Sequence, residues 1–181
     1  MEVLIFPDAQ SLARKSADLV ESQIKTFPDS VIGLATGSTP LGLYEELIRR
    51  HNEHDLSFAG VKTFNLDEYV GIPANHPQSY RTFMDDNLFS KINIESSNTQ
   101  VPDGMAGNPL DVGPAYEKMI EEAGGIDLQV LGVGTDGHIG FNEPTSSLGS
   151  VTRVKTLTKQ TIEDNSRFFK PDEFQPKLAI T

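Results

Sequence analysis

The apolar residues of this chain switch repeatedly between a short-run spacing and a helical one, and the switches divide it into strands and amphipathic helices. Glu2–Phe6 is an apolar run closed by Pro7 and predicts a first strand. Asp8 or Ser11 then caps a helix whose Leu12, Leu19, Val20 and Ile24 share one face. After the turn Phe27-Pro28-Asp29-Ser30, Val31–Ala35 reads as a second strand. The loop Thr36-Gly37-Ser38-Thr39 leads into a helix with Pro40 at its first position and Thr39 or Ser38 as cap. Leu41, Tyr44, Leu47 and Ile48 would turn inward from it. Val61–Leu66 is the third strand, and it breaks at Asp67-Glu68-Tyr69-Val70-Gly71.

Beyond a polar excursion at Ile72–Gln78, a helix is predicted over Ser79–Phe89, a short strand at Asn98–Val101 and a loop at Pro102–Pro109. Asp111–Ala123 is helical in pattern and ends at Gly124-Gly125, a left-handed cap. Leu128, Val130, Leu131 and Val133 form an apolar run of the kind a parallel sheet buries on both faces. Thr152–Leu157 predicts another strand, Thr158–Phe169 a helix, and Lys177–Thr181 the start of one more element. Strands alternating with helices at this spacing predict an α/β fold: a Rossmann-like three-layer αβα domain over 1–181 with a mostly parallel sheet and right-handed crossovers. An apolar strand at Lys177–Thr181 with nothing after it predicts that the C-terminal elements of the sheet are missing, with an edge left unprotected.

Composition narrows the function. A net charge of −11 over 181 residues supplies no basic stripe for nucleic acid, and an anionic ligand must be held by local donors against the overall field. The chain has no cysteine, which removes disulfides, a thiolate nucleophile and a thiolate metal site. An acid at position 2 and a short apolar run argue against a signal peptide, and no stretch is long enough for a membrane span. The expectation is a cytoplasmic protein.

Three predicted strands end in loops with reactive side chains, and parallel strands bring such loops to one edge of a sheet. Thr36–Thr39 combines a glycine, hydroxyls and a helix N-terminus, which suits a phosphate; the alternative is plain capping, and the lysine of a nucleotide-binding P-loop is absent. Asp67, at a strand end beside Phe64, Tyr69 and Val70, is either a desolvated base or a residue of a solvated turn. Asp136, His138 and Glu143 fall within eight residues of a glycine-rich loop. They suit a proton-shuttling imidazole oriented by carboxylates better than a metal site, because no second histidine is near. Gly132–Gly137 matches the dinucleotide pattern G-x-G-x-x-G, but no helical period follows Gly137, so a nicotinamide or flavin site is rejected.

The segments Leu34–Pro40, Phe64–Gly71, His76–Tyr80, Gly132–Pro144 and Ser166–Phe169 together closely resemble the glucosamine-6-phosphate deaminase family, in order and across essentially the whole chain. The resemblance implies conversion of glucosamine 6-phosphate and water to fructose 6-phosphate and ammonia, with no metal and no organic cofactor. It implies that Asp67 moves the C2 proton and that His138, with Asp136 and Glu143, opens the sugar ring. Thr36, Gly37, Ser38, Thr39 and Arg167 would hold the phosphate. Ser146, Arg153, Lys155 and Thr156 match positions where regulated members bind N-acetylglucosamine 6-phosphate, and homo-oligomers are common in the family; two solvated cations on a strand face are the plainer reading of Arg153 and Lys155. Members of the family continue well beyond the position matched by Thr181.

Two other readings stay open. A 6-phosphogluconolactonase shares the fold and a related G-x-G-x-D-G-H loop, and Asn-Leu-Asp-Glu-Tyr-Val-Gly with Phe-Asn-Glu-Pro favours the deaminase over it. A phosphosugar-binding module without turnover would need no acid–base set.

Overall fold

The computed structural model describes residues 2–181 except 135, 136, 167, 168, 171 and 173, and the side chain of Asp164 is likewise outside the description. Its elements follow in the order α1 (Ala9–Thr26), β1 (Val31–Leu34), α2 (Leu41–His54), β2 (Lys62–Asn65), β3 (Glu68–Tyr69), α3 (Tyr80–Asn87), β4 (Thr99–Gln100), α4 (Pro109–Glu122), β5 (Leu128–Gln129), β6 (Val154–Thr156), α5 (Lys159–Ser166) and β7 (Leu178–Ile180).

The central sheet has four parallel strands in the order β4-β2-β1-β5. β1 lies in its middle and is buried along its whole length, as its continuous apolar run requires. Ile32 and Leu34 face α1, α2 and α3, where Ala17, Val20, Ile24, Leu43, Tyr44, Leu47 and Met84 complete the main core. On the opposite face Val31 and Phe64 pack against Tyr116 of α4. Helices on both faces make three layers, and each buried Val, Leu or Ile contributes about 1.5–3 kcal/mol. Arg50 fastens α2 to α1 with ion pairs to Asp18 (2.8 Å) and Glu21 (2.5 Å) while also holding Glu46 at 2.9 Å.

A second sheet, β3-β7-β6, is antiparallel and packs with α5 around Tyr69, Ile72, Phe141, Leu157 and Phe169. It corrects part of the sequence reading. The strands near Thr152–Leu157 and Lys177–Thr181 do not extend the parallel sheet; they pair with each other, and the second of them also pairs with Glu68–Tyr69. β7 is the middle strand of its sheet, not an open edge.

Other boundaries also move. Glu2–Phe6 forms no strand: Ile5 is 92% exposed, and the segment has no ladder partner among the described residues. Leu12 and Leu19 lie off the buried face of α1, which Ala17, Val20 and Ile24 form instead. Asp8 is the cap, its Oδ1 accepting from the Ser11 amide at 2.6 Å. Pro40 is itself the N-cap of α2, where Thr39 or Ser38 was expected, and the buried face is Leu43, Tyr44, Leu47 and Arg50. The apolar run after Asp127 joins the ladder at Leu128 and Gln129, the Val130 amide still donates to the Gly33 carbonyl at 2.9 Å, and Leu131 and Val133 are exposed.

Candidate functional site

β2 and then β4 lie on one side of β1, while β5 lies on the other. Connections therefore diverge between β1 and β5, and such a divergence opens a crevice at the carboxyl ends of the strands. A cleft of about 760 Å³ is found there. Its walls include Thr36, Ser38 and Thr39 from the loop after β1, and Asp67 from the end of β2. His138, Gly140, Phe141 and Glu143 line it from the loop after β5. Three segments far apart in sequence thus meet at one cleft. Gly37 supplies the left-handed turn (φ +96°) between Thr36 and Ser38.

Asp67 is only 5% exposed. Burial, and then the adjacent Glu68 carboxylate, push its pKa up to about 7, while the Phe141 amide facing it works in the opposite direction. A carboxylate with that value exchanges protons readily near neutral pH. The solvated-turn alternative for Asp67 does not describe this setting.

The loop after β5 folds back on itself: the Gly134 amide donates to the His138 carbonyl at 2.8 Å, and the Gly137 amide to the Gly134 carbonyl at 3.0 Å. The fold-back lays the His138 ring directly over Gly134, in the space a side chain there would fill. Gly140 (φ +58°) then lets the backbone pass beside Asp67, and Ile139 bridges to Asn142. Glu143 follows, 5% exposed. Its Oε1 accepts from the Thr158 amide and hydroxyl, both at 3.3 Å, and from the Thr161 hydroxyl at 2.5 Å. The start of α5 therefore fixes this carboxylate at the rim.

Several lining residues escape the sequence reading. Tyr80 opens α3, lines the cleft and turns its hydroxyl toward those of Thr36 and Tyr69. Its ring stacks on Phe141 with centroids 5.8 Å apart and planes within 6°. Thr161 and Asn165 of α5 also line the cleft. Tyr80 closes the segment His76–Tyr80 that carries the resemblance, but the sequence gives it no role beyond a place at a helix start after the cap Ser79.

Asp136 and Arg167 lie outside the described residues. Ser146, Arg153, Lys155 and Thr156 do not line the cleft; Lys155 and Thr156 belong to β6, and Arg153 immediately precedes it. Among the described residues no group of three or more His, Cys, Asp or Glu side chains could hold a metal ion. No helix among them is long and apolar enough to cross a membrane.

Comparison with known proteins converges on one family. The model of "Glucosamine-6-phosphate isomerases/6-phosphogluconolactonase" matches residues 7–146. A glucosamine-6-phosphate deaminase of Cellvibrio japonicus is 58% identical over 181 residues, which are the whole of this chain and 69% of that protein. One from Shewanella woodyi is 55% identical over the same span, again 69% of its length. These relatives are longer than this chain, as the resemblance implied. A monomeric glucosamine-6-phosphate deaminase of known structure superposes with a TM-score of 0.96 at 41% identity, covering 100% of this chain and 75% of that one. The 6-phosphogluconolactonase of Thermotoga maritima is more distant, with a TM-score of 0.74 at 22% identity over 99% of this chain and 75% of its own, a likeness of fold alone.

Proposed function

Because the chain belongs to the family of glucosamine-6-phosphate isomerases and 6-phosphogluconolactonases, we propose that it converts glucosamine 6-phosphate and water into fructose 6-phosphate and ammonia. The observation that carries this reading is Asp67: a buried carboxylate with its pKa near 7, at the wall of a cleft that His138 and a hydroxyl-bearing loop share.

The chemistry assigns an order to these groups. The C2 hydrogen of the sugar becomes acidic only when a carbonyl stands at C1, so the pyranose ring opens first. Opening removes a proton from O1 and delivers one to O5, a transfer suited to an imidazole such as His138, with Glu143 beside it on the same cleft. Asp67 then takes the proton from C2 as O1 gains one, giving a 2-amino enol, and returns a proton to C1. The resulting C2 iminium adds water and expels ammonia, leaving the ketone of fructose 6-phosphate. Acid–base help of this kind is worth roughly 10²–10⁴-fold per group.

The phosphate is assigned to the turn at Thr36–Thr39, where the hydroxyls of Thr36, Ser38 and Thr39 reach the cleft and Gly37 keeps the backbone open to an anion. Such local donors are needed because the net charge of −11 repels an anion at a distance. Arg167 and Asp136 complete the assigned set, as phosphate donor and as orienting carboxylate. A phosphorylated sugar does not cross a lipid bilayer unaided, which supports a cytoplasmic location for the reaction.

The reading extends to self-association and to an effector, N-acetylglucosamine 6-phosphate, at Ser146, Arg153, Lys155 and Thr156. Self-association rests on the family alone; for the effector, the buried Ser146 hydroxyl has no hydrogen-bond partner among the described residues, and Arg153 Nη1 donates to Asn142 Oδ1 at 2.8 Å, next to Glu143. Sedimentation, and saturation curves with and without the effector, test this part.

The decisive assay is ammonia release from glucosamine 6-phosphate, compared with hydrolysis of 6-phosphogluconolactone. Lactone hydrolysis without ammonia would make the protein a lactonase. Phosphosugar binding with neither reaction would make it a binding module.

A further inference from the structure

The residue next to Asp67 has no assigned role, and its surroundings are unusual. Glu68 is 3% exposed, and His76 acts on its charge electrostatically. Its partners are backbone amides. Oε1 accepts from Tyr69 at 2.8 Å and Tyr80 at 3.0 Å, and Oε2 accepts from Arg81 at 3.1 Å.

The first turn of α3 can be accounted for donor by donor. The Ser79 amide goes to the His76 carbonyl, those of Tyr80 and Arg81 go to Glu68, that of Thr82 goes to the Ser79 hydroxyl, and that of Phe83 goes to the Ser79 carbonyl. An eight-residue helix therefore has two of its starting donors satisfied by a carboxylate from another element, at the end where its dipole favours negative charge. Tyr80 is the first residue of that helix, and its ring forms a wall of the cleft against Phe141.

We propose that Glu68 is the positioning residue of this site: its carboxylate clamps the start of α3, and with it the Tyr80 ring, to the strand end that presents Asp67. This rests on the deaminase reading for its kinetic consequence, though not for its geometry. A second consequence follows from charge. Two adjacent carboxylates are buried together, and the Glu68 charge raises the pKa of Asp67 beyond what burial alone does. The other titratable groups facing Asp67 are Tyr69 from β3, Tyr80 from α3 and Tyr116 from α4, with His138 and Glu143 across the cleft; His76 faces Glu68. Only Glu68 among these is a carboxylate on the same strand end. It acts on Asp67 from one side and on Tyr80 from the other.

The test is Glu68→Gln set beside Ser79→Ala, both in the full-length chain. Ser79→Ala loosens the same helix start without altering charge. The first readout is the titration of the Asp67 carboxyl carbon by NMR, which needs no activity. Glu68→Gln should lower its midpoint by about one pH unit, and Ser79→Ala should leave it in place. The second readout is kcat against pH. Glu68→Gln should lower the plateau by roughly 10- to 100-fold through the displaced Tyr80 wall, and should move the acid limb to lower pH. If both variants merely lower Tm and scale the rate equally at every pH, with the Asp67 midpoint unmoved, the proposal is overturned. If the wild type releases no ammonia, the deaminase reading fails, and the NMR titration still decides the role of Glu68.

Discussion

Gly140 and Asp67 touch so closely that a methyl group built on the glycine would stand 2.8 Å from Asp67 Oδ2 and 2.7 Å from Leu66 Cδ2. The loop that carries His138 is thereby pressed against the strand end that carries Asp67, and the contact needs a residue with no side chain. Gly140 also holds a positive φ of 58°, which costs other residues about 1–2 kcal/mol. Gly140→Ala should therefore lower stability by about 1–3 kcal/mol and reduce deaminase turnover by roughly 100-fold, since displacement of about 1 Å at a reacting group has that effect. Chemical denaturation and the ammonia assay measure the two losses separately.

The raised pKa of Asp67 makes stability depend on pH in a definite direction. Its carboxyl has a value of about 7 when folded against 3.8 for the free side chain, so the native state binds the proton more tightly. Stability from this group is fully present below about pH 4 and is lost as pH rises toward 7, because over that window the native state holds more protons than the unfolded one. Asp67→Asn should therefore stabilise the protein at pH 8, by about 4 kcal/mol as an upper bound, with the gain shrinking toward zero near pH 4. Turnover should fall by roughly 10²–10⁴-fold. Urea unfolding of both proteins across pH 4–8 checks the sign, and a wild type that gains stability relative to the variant as pH rises would contradict it.

What was legible in the sequence divides along a physical line. β1, with four consecutive buried residues, and the helices with Asp8, Ser79 and Asn108 caps carry their signals locally. Glu68–Tyr69 does not: it is a strand only because β7 lies alongside, more than a hundred residues later. The same holds for Thr156, which pairs with Leu178 in a direction no local pattern reveals. Glu2–Phe6 shows the reverse failure, strand-like composition without a partner to hydrogen-bond. In the cleft, Asp67, His138 and Glu143 are visible because titratable side chains follow predicted parallel strands, whose carboxyl ends share one edge of the sheet. Tyr80 was not, since an aromatic at a helix start reads as ordinary core, and only the turn through Ser79 brings it to Thr36.

Arg50 offers a prediction about stability alone. Its side chain is 9% exposed and meets Asp18, Glu21 and Glu46, besides donating to the Arg14 carbonyl at 3.1 Å. Glu21 and Glu46 would keep Lys25 and Arg49 as partners, so the loss is that of the charge-assisted bonds and the aliphatic packing by which Arg50 ties α2 to α1. Arg50→Ala should destabilise by about 3 kcal/mol, whereas the exposed Lys25, paired with Glu21 at 2.6 Å, should cost less than about 1 kcal/mol when replaced by Ala. Neither change should alter KM, because neither residue lines the cleft.

Gly134→Ala separates the site from the fold most cleanly. Unlike Gly140, Gly134 is not among the glycines with positive φ, so alanine suits its backbone. The added methyl group would fall on the His138 ring, the movable end of a side chain, and the ring would have to swing away. Global stability should then change by less than about 1 kcal/mol, since no main-chain contact is displaced. Activity should fall by roughly 100-fold if His138 opens the ring from its present position. Supplying the glucosamine 6-phosphate already in its open-chain form, in a burst measured before it recloses, should restore much of the loss for Gly134→Ala and none for Asp67→Asn. The two residues would act at successive steps, and a shared failure to respond would instead assign both to one step.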